Sequence, residues 1–314
     1  MAILTWLGAN ARWFLALGSL SAFFLPELAS VLRPYLPWLV SMVLGLSMAR
    51  IDLVDMARNA FRPRFLTRVL LLTLLLMPVT GVVYLAMARL VGLSELDTQA
   101  LVYLAATPPI ASAAGLCFIL GYNARLAIEV TLAATILTPV IGPAMVAILI
   151  PDAIGISSVD LGIRLFRMIA GAFVFAIVLR RVLSPQRINR NKTAFDGVSA
   201  VAMLTFIFPL FDGVSATIVA DPMRALWVLA LATVFNLGIN AAIQLLARRQ
   251  AYQDRGALGL IWGNRTIAVY LAALPPDPQF TLFVALYQFP MYFTPLLFGR
   301  KSPGVQSPDA TPKP

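Results

Sequence analysis

The chain has 314 residues, of which 60% are hydrophobic and only 12% are charged, and its mean hydropathy is +0.85. Soluble domains carry about 25% charged residues, so this composition excludes an ordinary soluble protein. The net charge is +10, but the basic residues stand in short clusters between apolar runs. That distribution is typical of a membrane protein and argues against a nucleic-acid partner. The absence of histidine and the single cysteine exclude a disulfide framework and the commonest metal ligand.

Apolar runs long enough to cross a bilayer, which takes about 20 residues, recur ten times along the chain. We number the predicted membrane-spanning helices as spans one to ten. They lie near residues 11–27, 35–50, 66–89, 98–121, 125–150, 161–183, 196–219, 223–247, 256–275 and 279–299. The predicted fold class is therefore an all-α integral membrane protein.

The basic residues predict the orientation of these spans. With the N-terminus in the cytoplasm, eighteen Lys and Arg residues fall inside and five fall outside. This bias follows the positive-inside rule, so we expect a multi-pass protein of the plasma (inner) membrane with both termini cytoplasmic. The tail 301–314 is rich in proline and polar residues and is predicted to be disordered.

The two halves of the chain share a pattern of helix disruption. Residues 1–150 hold five spans and residues 151–300 hold five more. The last span of each half carries two prolines about one turn apart: Pro139 and Pro143, then Pro290 and Pro295. Because each half has an odd number of spans, the second half runs upside down relative to the first. The pattern predicts two inverted five-helix repeats, as in many secondary transporters.

The fourth span of each half is interrupted. Span four contains Thr107, Pro108 and Pro109, and span nine contains the polar stretch from Gly263 to Thr266. Prolines are common in membrane helices, so each break alone has a purely structural explanation. Their matching positions instead predict broken helices that cross near the membrane midplane.

Few polar residues fall inside the spans. They are Arg265, Glu129, Thr107, Ser112, Thr131, Thr135, Thr138, Asn236, Asn240, Asn264 and Thr266. Hydroxyl and amide groups in membrane helices usually bond to backbone or to a neighbouring helix. An ionised side chain at the helix centre costs about 2.5–3.5 kcal/mol, so Arg265 and Glu129 are the functional candidates.

Arg265 lies near the middle of span nine, and its structural alternative is an ion pair between helices. Glu129 lies close to the start of span five, where it could be an interfacial acid beside Arg125. The sharper hypothesis pairs Glu129 with Arg265 across the broken helices. A buried carboxyl group can titrate near neutrality, so a proton on Glu129 is then a candidate coupling ion.

The breaks also predict the charge of the transported molecule. A broken helix exposes N-terminal amides that carry partial positive charge and attract anions. A fixed arginine beside such an end favours a carboxylate. We therefore expect a small organic anion as the substrate.

Three stretches of this chain resemble the bile acid:sodium symporter family. They are FFLPELASVLRPYLPWLVSMVLGLSM (23–48), ATPPIASAAG (106–115) followed by YNARLAIEVTLAATILTPVIGP (122–143), and LIWGNRTIAVYLAAL (260–274). The resemblance implies a core domain of spans three to five and eight to ten, with spans four and nine crossing. It implies a panel domain of spans one, two, six and seven, substrate in the cleft between the domains, and sodium ions behind the crossing.

The chain departs from this family at the implied sodium ligands. Thr131 is retained, Thr73 stands in place of a glutamine, and Arg265 stands in place of a second glutamine. Side-chain oxygens are lost at Ala113, Ala114, Ala127 and Ile261. Sodium requires several oxygen ligands, as other hard cations do. A fixed cation has been placed where a mobile one would bind.

Our hypothesis is that Arg265 is a tethered substitute for sodium, held by carbonyls, Thr131 and Glu129. The expected function is sodium-independent transport of an organic anion by alternating access, without a cofactor. Two alternatives are a non-transporting sensor or scaffold and a conventional sodium symporter with altered ligands. An arsenite carrier would need a thiol at the break, and Cys117 lies about two turns beyond it. An enzyme is not expected, because no nucleophile with a base and no acidic cluster is present.

Overall fold

The computed structural model describes residues 2–50, 63–151 and 155–298, and helices account for nearly all of this part of the chain. The α-helices are α1 (Ala2–Ala9), α2 (Ala11–Ser21), α3 (Pro26–Leu32), α4 (Leu36–Met48), α5 (Pro63–Leu74), α6 (Thr80–Val91), α7 (Glu95–Ala105), α8 (Ala113–Leu120), α9 (Ala124–Leu149), α10 (Ser158–Leu183), α11 (Pro185–Arg190), α12 (Lys192–Ile207), α13 (Val214–Ala220), α14 (Pro222–Thr233), α15 (Ile239–Leu246), α16 (Tyr252–Gly263), α17 (Ala268–Ala273) and α18 (Pro278–Phe298).

The prediction of an all-helical membrane protein is confirmed. Over the described ranges, six helical segments are long and apolar enough to cross a membrane. They are Pro26–Met48, Leu66–Val91, Ala124–Leu149, Ser158–Leu183, Lys192–Phe211 and Pro222–Leu246. The arrangement of ten spans as inverted repeats stays a prediction. The predicted disordered tail 301–314 lies outside the described residues.

Local sequence accounts for where several helices begin. Ser94, Asn123 and Ser157 each accept a hydrogen bond from a backbone N–H in the first turn of α7, α9 and α10. These side chains satisfy amides that have no partner inside the helix. Asp221 caps α14 in the same way and is followed by Pro222, whose ring suits the first helical position.

The predicted bounds of the first two spans are partly wrong. Helix α2 begins at Ala11, where span one was predicted to begin, but α1 (Ala2–Ala9) precedes it and the helical path after α2 ends at Phe24 rather than at residue 27. The second helical segment begins at Pro26 rather than at residue 35. Arg33 interrupts the apolar run, which made the second segment look shorter than it is. Its guanidinium donates to the carbonyl oxygen of Pro209 at 3.1 Å, so the helical path continues past the charge.

One group of helices consists of α1 to α4 and α10 to α12. Helix α1 packs closely on α12, and α4 packs on α10. At the first contact, a Cβ on Gly8 would lie 1.9 Å from the carbonyl oxygen of Thr193, and one on Gly197 would lie 2.0 Å from that of Leu4. Only glycine allows backbones to approach so closely, as is common between membrane helices.

The remaining long helices form a second group around α7, α8, α16 and α17. Helix α9 packs on α5 and α8, and α14 packs on α18. The two groups touch where Arg164 of α10 donates to the carbonyl oxygen of Ala273, at 3.0 Å. They also touch where Phe23 stacks on Phe289, with ring centroids 5.6 Å apart. Helices α9 and α10 also pack on each other, so the groups are not separate bodies.

Two helices of the second group contain a π-helical turn. Leu75–Val79 joins α5 to α6 and includes Pro78, and Val234–Gly238 joins α14 to α15. A π-helical turn loosens the regular backbone ladder, and such turns are frequent at functional sites. Both turns contribute a group to the site described next.

Candidate functional site

Two gaps in the helices lie against each other inside the second group. The gap between α7 and α8 runs antiparallel to the gap between α16 and α17, with Pro109 opposite Arg265. The N–H of Ile110 donates to the carbonyl oxygen of Asn264, and the N–H of Thr266 donates to that of Pro108, both at 2.9 Å. The two gaps therefore provide hydrogen-bond partners for some of each other's backbone N–H and C=O groups, which buried backbone in a membrane protein requires.

Arg265 lies at the centre of this crossing and is only 2% exposed. Its Nη2 donates to the carbonyl oxygens of Leu76, at 3.1 Å, and of Ala105. Its Nε donates to the carbonyl oxygen of Leu104 at 3.4 Å. A hydrogen bond from a charged group contributes about 1.5–3 kcal/mol. Three of them offset the insertion cost of about 2.5–3.5 kcal/mol for a central arginine.

The carbonyls of Leu104 and Ala105 are available because they end a helix. They belong to the last two residues of α7, where the regular helical ladder ends, although the N–H and the hydroxyl of Thr107 also donate to the carbonyl of Leu104. The C-terminal end of a helix also carries partial negative charge, which favours a cation. The guanidinium therefore caps α7 from a distant part of the chain.

The third carbonyl comes from the π-helical turn at Leu75–Val79. There the N–H of Thr80 and its hydroxyl both donate to the carbonyl of Leu75, one residue further back than in an α-helix. In the same turn, the next carbonyl along the chain, that of Leu76, accepts a hydrogen bond from Nη2 of Arg265. Trp262, just before the second gap, donates its indole N–H to the hydroxyl of Thr80 at 3.2 Å.

The opposite side of the second gap is held by three fully buried polar side chains. Asn236, in the other π-helical turn, donates to the carbonyl of Gly263 at 2.7 Å and contacts Oδ1 of Asn264 at 3.3 Å. The hydroxyl of Thr294 lies 3.1 Å from Oδ1 of both asparagines. Asn236 uses both amide protons on these groups, and the single hydroxyl proton of Thr294 goes to one of the two asparagine oxygens or to the carbonyl of Pro290, 2.9 Å away.

Tyr287 of α18 completes the support of the gap. Its hydroxyl donates to the carbonyl of Gly263 and accepts from the backbone N–H of Arg265 at 3.2 Å. The side chain is fully buried. Arg265 is thus positioned by its own backbone as well as by its side chain.

Glu129 has a different partner from the one hypothesised. Arg125, one turn earlier on α9, donates through Nε to the Glu129 carboxylate at 2.8 Å. The Arg125 side chain is 75% exposed, whereas Glu129 is buried. The side-chain hydrogen bonds described for Arg265 go to backbone carbonyls, and the structure favours the interfacial alternative for Glu129.

The predicted hydroxyls divide into three classes. Thr107 is buried just beyond the end of α7 and donates to the carbonyl of Leu104 in that helix, at 2.7 Å. Ser112 and Thr266 are partly exposed at the crossing, and Thr266 donates to the carbonyl of Pro109 at 2.9 Å. The hydroxyls of Thr73 and Thr131 are buried and have no hydrogen-bond partner among the described residues. Thr131 is therefore not a ligand of Arg265 in this structure.

The positions at which the resemblance implies sodium ligands carry apolar side chains. Ala113, Ala127 and Ile261 are fully buried, and Ala114 is partly exposed. Within the described ranges, no group of three or more His, Cys, Asp or Glu side chains lies together.

A second buried arginine contact lies away from the crossing. Arg224 at the start of α14 makes a bidentate pair with Asp97 at the start of α7, at 2.7 and 2.9 Å. Trp227 donates to the same carboxylate at 3.0 Å, and Arg224 also contacts Gln279 at 3.2 Å. A cavity of about 150 Å³ lies nearby, lined by Gln99, Tyr103, Asp277 and Phe280 among others, and it does not include Arg265.

Sequence reasoning missed several groups of the crossing, and it also missed Asp97 outside the crossing. The carbonyls of Leu76, Leu104 and Ala105 carry no side-chain signal, since every residue has a carbonyl. Tyr287 and Thr294 had a weak signal, because each places a hydroxyl group in the helix that also carries the paired prolines. Asp97 was missed because it lies just outside the predicted span.

Comparison of the chain with models of known protein families and with curated proteins finds no match.

Proposed function

We propose that this chain is a secondary transporter that moves a small organic anion by alternating access and without sodium coupling. The observation that carries the proposal is the buried Arg265, bonded to three backbone carbonyls where two broken helices meet. In a transporter with a bound metal ion, mobile cations would neutralise such carbonyls. Here a side chain does so permanently.

Matching irregularities support the proposal of two inverted five-helix repeats. Under the ten-span numbering, the π-helical turns Leu75–Val79 and Val234–Gly238 lie in the third span of each half. The two gaps lie in the fourth span, and the paired prolines lie in the fifth. Disruptions at equivalent positions are typical of transporters with broken helices at the midplane. The resemblance to the bile acid:sodium symporter family adds the same expectation.

Sodium independence follows from charge. Two unit charges about 4 Å apart repel by about 4 kcal/mol at an effective dielectric constant of about 20. A sodium ion beside the guanidinium would therefore bind roughly a thousandfold more weakly than at the same site without Arg265. The apolar side chains of Ala113, Ala127 and Ile261 offer no compensating ligands.

A proton remains a second candidate coupling ion, through Glu129. The hydrogen bond described for Glu129 is made with Arg125 within α9 rather than with a group at the crossing. We therefore propose exchange or facilitated diffusion ahead of proton coupling.

In the proposed mechanism, the two helix groups move relative to each other during alternating access. The first group corresponds to the panel domain and the second to the core domain. Arg164 with Ala273 and Phe23 with Phe289 join them. Alternating access requires such contacts to break when the cleft opens on that side. The substrate would meet the partly exposed break near Ser112, where Gly115 has open space beside it.

The orientation is also a proposal. The positive-inside bias favours an inner-membrane protein with both termini in the cytoplasm. The basic residues near the start of α12 lie on the cytoplasmic side in this orientation, while Arg164 and Arg224 lie on the outer side.

The first experiment measures binding of ²²Na⁺ to purified protein by scintillation proximity, which needs no known substrate. We expect no saturable sodium binding. Saturable binding that potassium does not displace would overturn the sodium-independent mechanism.

The second experiment measures flux in proteoliposomes with radiolabelled taurocholate and radiolabelled pyruvate as probes. We expect counterflow of at least one probe at the same rate under inward sodium and inward potassium gradients. A steep increase with the sodium gradient would support a conventional symporter. Saturable binding of a probe without any flux would support the sensor or scaffold.

Two arginine variants serve as a matched pair in that assay. Arg265→Gln removes the buried charge, and we expect loss of flux. Arg125→Gln removes an exposed charge, and we expect flux close to wild type. Unchanged flux in Arg265→Gln would make Arg265 dispensable for transport. Size-exclusion profiles separate loss of flux from loss of folding.

A further inference from the structure

The cavity of about 150 Å³ beside the Arg224 contact lies between α7 and the start of α18. Its lining residues come from α7, from α18 and the connection that precedes it, and from Gly155 in the connection between α9 and α10. A Cβ on Gly155 would lie 3.7 Å from the ring of Pro275, so the two connections are in contact. An apolar cavity of about this volume accommodates benzene, so a ligand of about six non-hydrogen atoms fits the space.

The cavity has a side that solvent reaches and a side that is buried. Gln99 and Asp277 are partly exposed, and Pro275 is exposed. Tyr103 and Phe280 are buried, and their rings meet edge to face with centroids 5.0 Å apart. A ligand can therefore enter from solvent and place an apolar part against the aromatic side chains.

The carboxylate of Asp277 has one oxygen that the protein does not use. Its Oδ1 accepts from the backbone N–H groups of Gln279, at 2.7 Å, and of Phe280, at 2.9 Å, in the first turn of α18. Its Oδ2 has no hydrogen-bond partner among the described residues. The carboxylate is close enough to the hydroxyl of Tyr103 to interact with it electrostatically. The unused oxygen and the aromatic side chains therefore belong to one cavity.

The charge of Asp277 is not balanced by an ion pair within the described ranges. The ion pairs described there engage Asp97, Glu129 and Asp196. Arg224 contacts the cavity residue Gln279 but is neutralised by Asp97. The helix N-terminus beside Asp277 contributes only about half a positive charge, so negative charge remains at the cavity.

A second polar group of the lining is also available to a ligand. The side chain of Gln99 makes no hydrogen bond within the described part of the chain, and its amide oxygen can accept one. A ligand that meets these two oxygens must donate hydrogen bonds and carry positive charge. A metal ion needs several oxygen ligands, whereas the rest of this lining is largely leucine, proline, alanine and phenylalanine. The lining therefore suits an organic cation.

We propose that this cavity binds a small protonated amine. The ammonium group donates to Oδ2 of Asp277 and to the amide oxygen of Gln99, and the apolar part of the ligand packs on Phe280. The site does not include Arg265, and the inference stands whether or not the protein transports an anion.

Binding of tritiated n-pentylammonium to the purified full chain in detergent tests the proposal. This probe has six non-hydrogen atoms, and scintillation proximity measures its binding, with detergent alone as the background. We expect saturable binding that unlabelled n-pentylammonium displaces. 1-Pentanol has the same chain without the charge, and we expect it to displace none of the probe at the same concentrations.

Asp277→Asn and Asp221→Asn form the matched pair. Each aspartate accepts from backbone N–H groups in the first turn of a helix, and asparagine caps a helix about as well, so both variants are expected to fold. We expect Asp277→Asn to weaken the probe affinity about tenfold, the loss of one charge-assisted hydrogen bond. Asp221 does not line the cavity, so Asp221→Asn should bind the probe as wild type does.

Gln99→Leu provides a second variant, because Gln99 has no side-chain bond to lose, and we expect it to weaken binding as well. Absence of saturable binding to wild type overturns the proposal. Equal weakening in Asp277→Asn and Asp221→Asn overturns it too, because the effect is then one of general surface charge. Displacement by 1-pentanol shows that the charge is not recognised, and displacement by calcium chloride at constant ionic strength shows an inorganic cation site; either result overturns the assignment to an amine. None of these measurements contains a transport step, so their outcome is independent of the proposed function.

Discussion

The two buried arginine contacts stabilise a positive charge inside the protein in different ways. Arg224, at the start of α14, is paired with a carboxylate and is still 21% exposed through its side chain. Arg265, at the centre of the crossing, has no carboxylate among its described partners and relies on helix-end and π-turn carbonyls. The Arg224–Asp97 pair has no net charge, and it joins the starts of α14 and α7. The second leaves a net charge inside the protein, which is what a site for a charged ligand requires.

The largest expected effect comes from removing the unpaired charge. Arg265→Gln deletes hydrogen bonds to three carbonyls and should lower the free energy of unfolding by about 4 kcal/mol. The measurement is thermal unfolding of the detergent-solubilised protein, together with the yield of monodisperse material. A stability equal to wild type would show that the crossing does not depend on the guanidinium.

The carboxylate-paired site should respond to charge differently. Asp97→Asn leaves the partly exposed Arg224 without its counter-charge and should cost about 3 kcal/mol, the low end for a broken buried pair. The exchanged pair Asp97→Arg with Arg224→Asp should recover part of that loss, as measured by thermal unfolding. If the double variant is no more stable than the single one, the pairing of charges is not what holds these helix ends.

The polar cluster behind the second gap should have an intermediate effect. Thr294→Val removes the hydroxyl that lies between Asn236 and Asn264 and should cost about 1–2 kcal/mol. Thr281→Val, which removes only a bond to a carbonyl in its own helix, is the control. Equal destabilisation in the two variants would assign no special role to the cluster.

The smallest effect is expected at the ion pair between Glu129 and Arg125. Because Arg125 is mostly exposed, Glu129→Gln should change the unfolding free energy by less than about 1 kcal/mol. The flux assay provides a second readout for the same variant. A severe loss of flux without loss of stability would return Glu129 to the mechanism as a proton carrier.

Particular residues show what the sequence could predict. Pro108 and Pro109 lack a backbone N–H, so a break in that helix was predictable from sequence alone. The depth of Arg265 was predictable from the length of its apolar run. The partners of Arg265 were not predictable, because main-chain carbonyls are identical in every residue. Their selection depends on which helix ends at Ala105 and where the π-helical turn falls, and both are tertiary outcomes.

The tertiary partner of Glu129 was equally unpredictable from the sequence, which is why we hypothesised a pair with Arg265. An acid and a base in neighbouring broken helices suggest an ion pair, yet a partner four residues away on the same helix is always within reach. Arg125 provided it. The pair within one helix forms in preference to a pair between helices because it needs no particular arrangement of separate helices.

The sequence separation between Arg265 and its acceptors bears on how the protein is made. Leu76 and Ala105 precede Arg265 by 189 and 160 residues, so they are synthesised long before it. The segment around Arg265 enters a bilayer that already contains its acceptors, and on its own it carries an insertion penalty of about 2.5–3.5 kcal/mol. Membrane integration of this segment should therefore depend on the earlier helices being in place. An isolated α16–α17 segment should integrate less efficiently in a translocon insertion assay than the same segment with Arg265→Leu, whereas in the full chain the two should integrate equally.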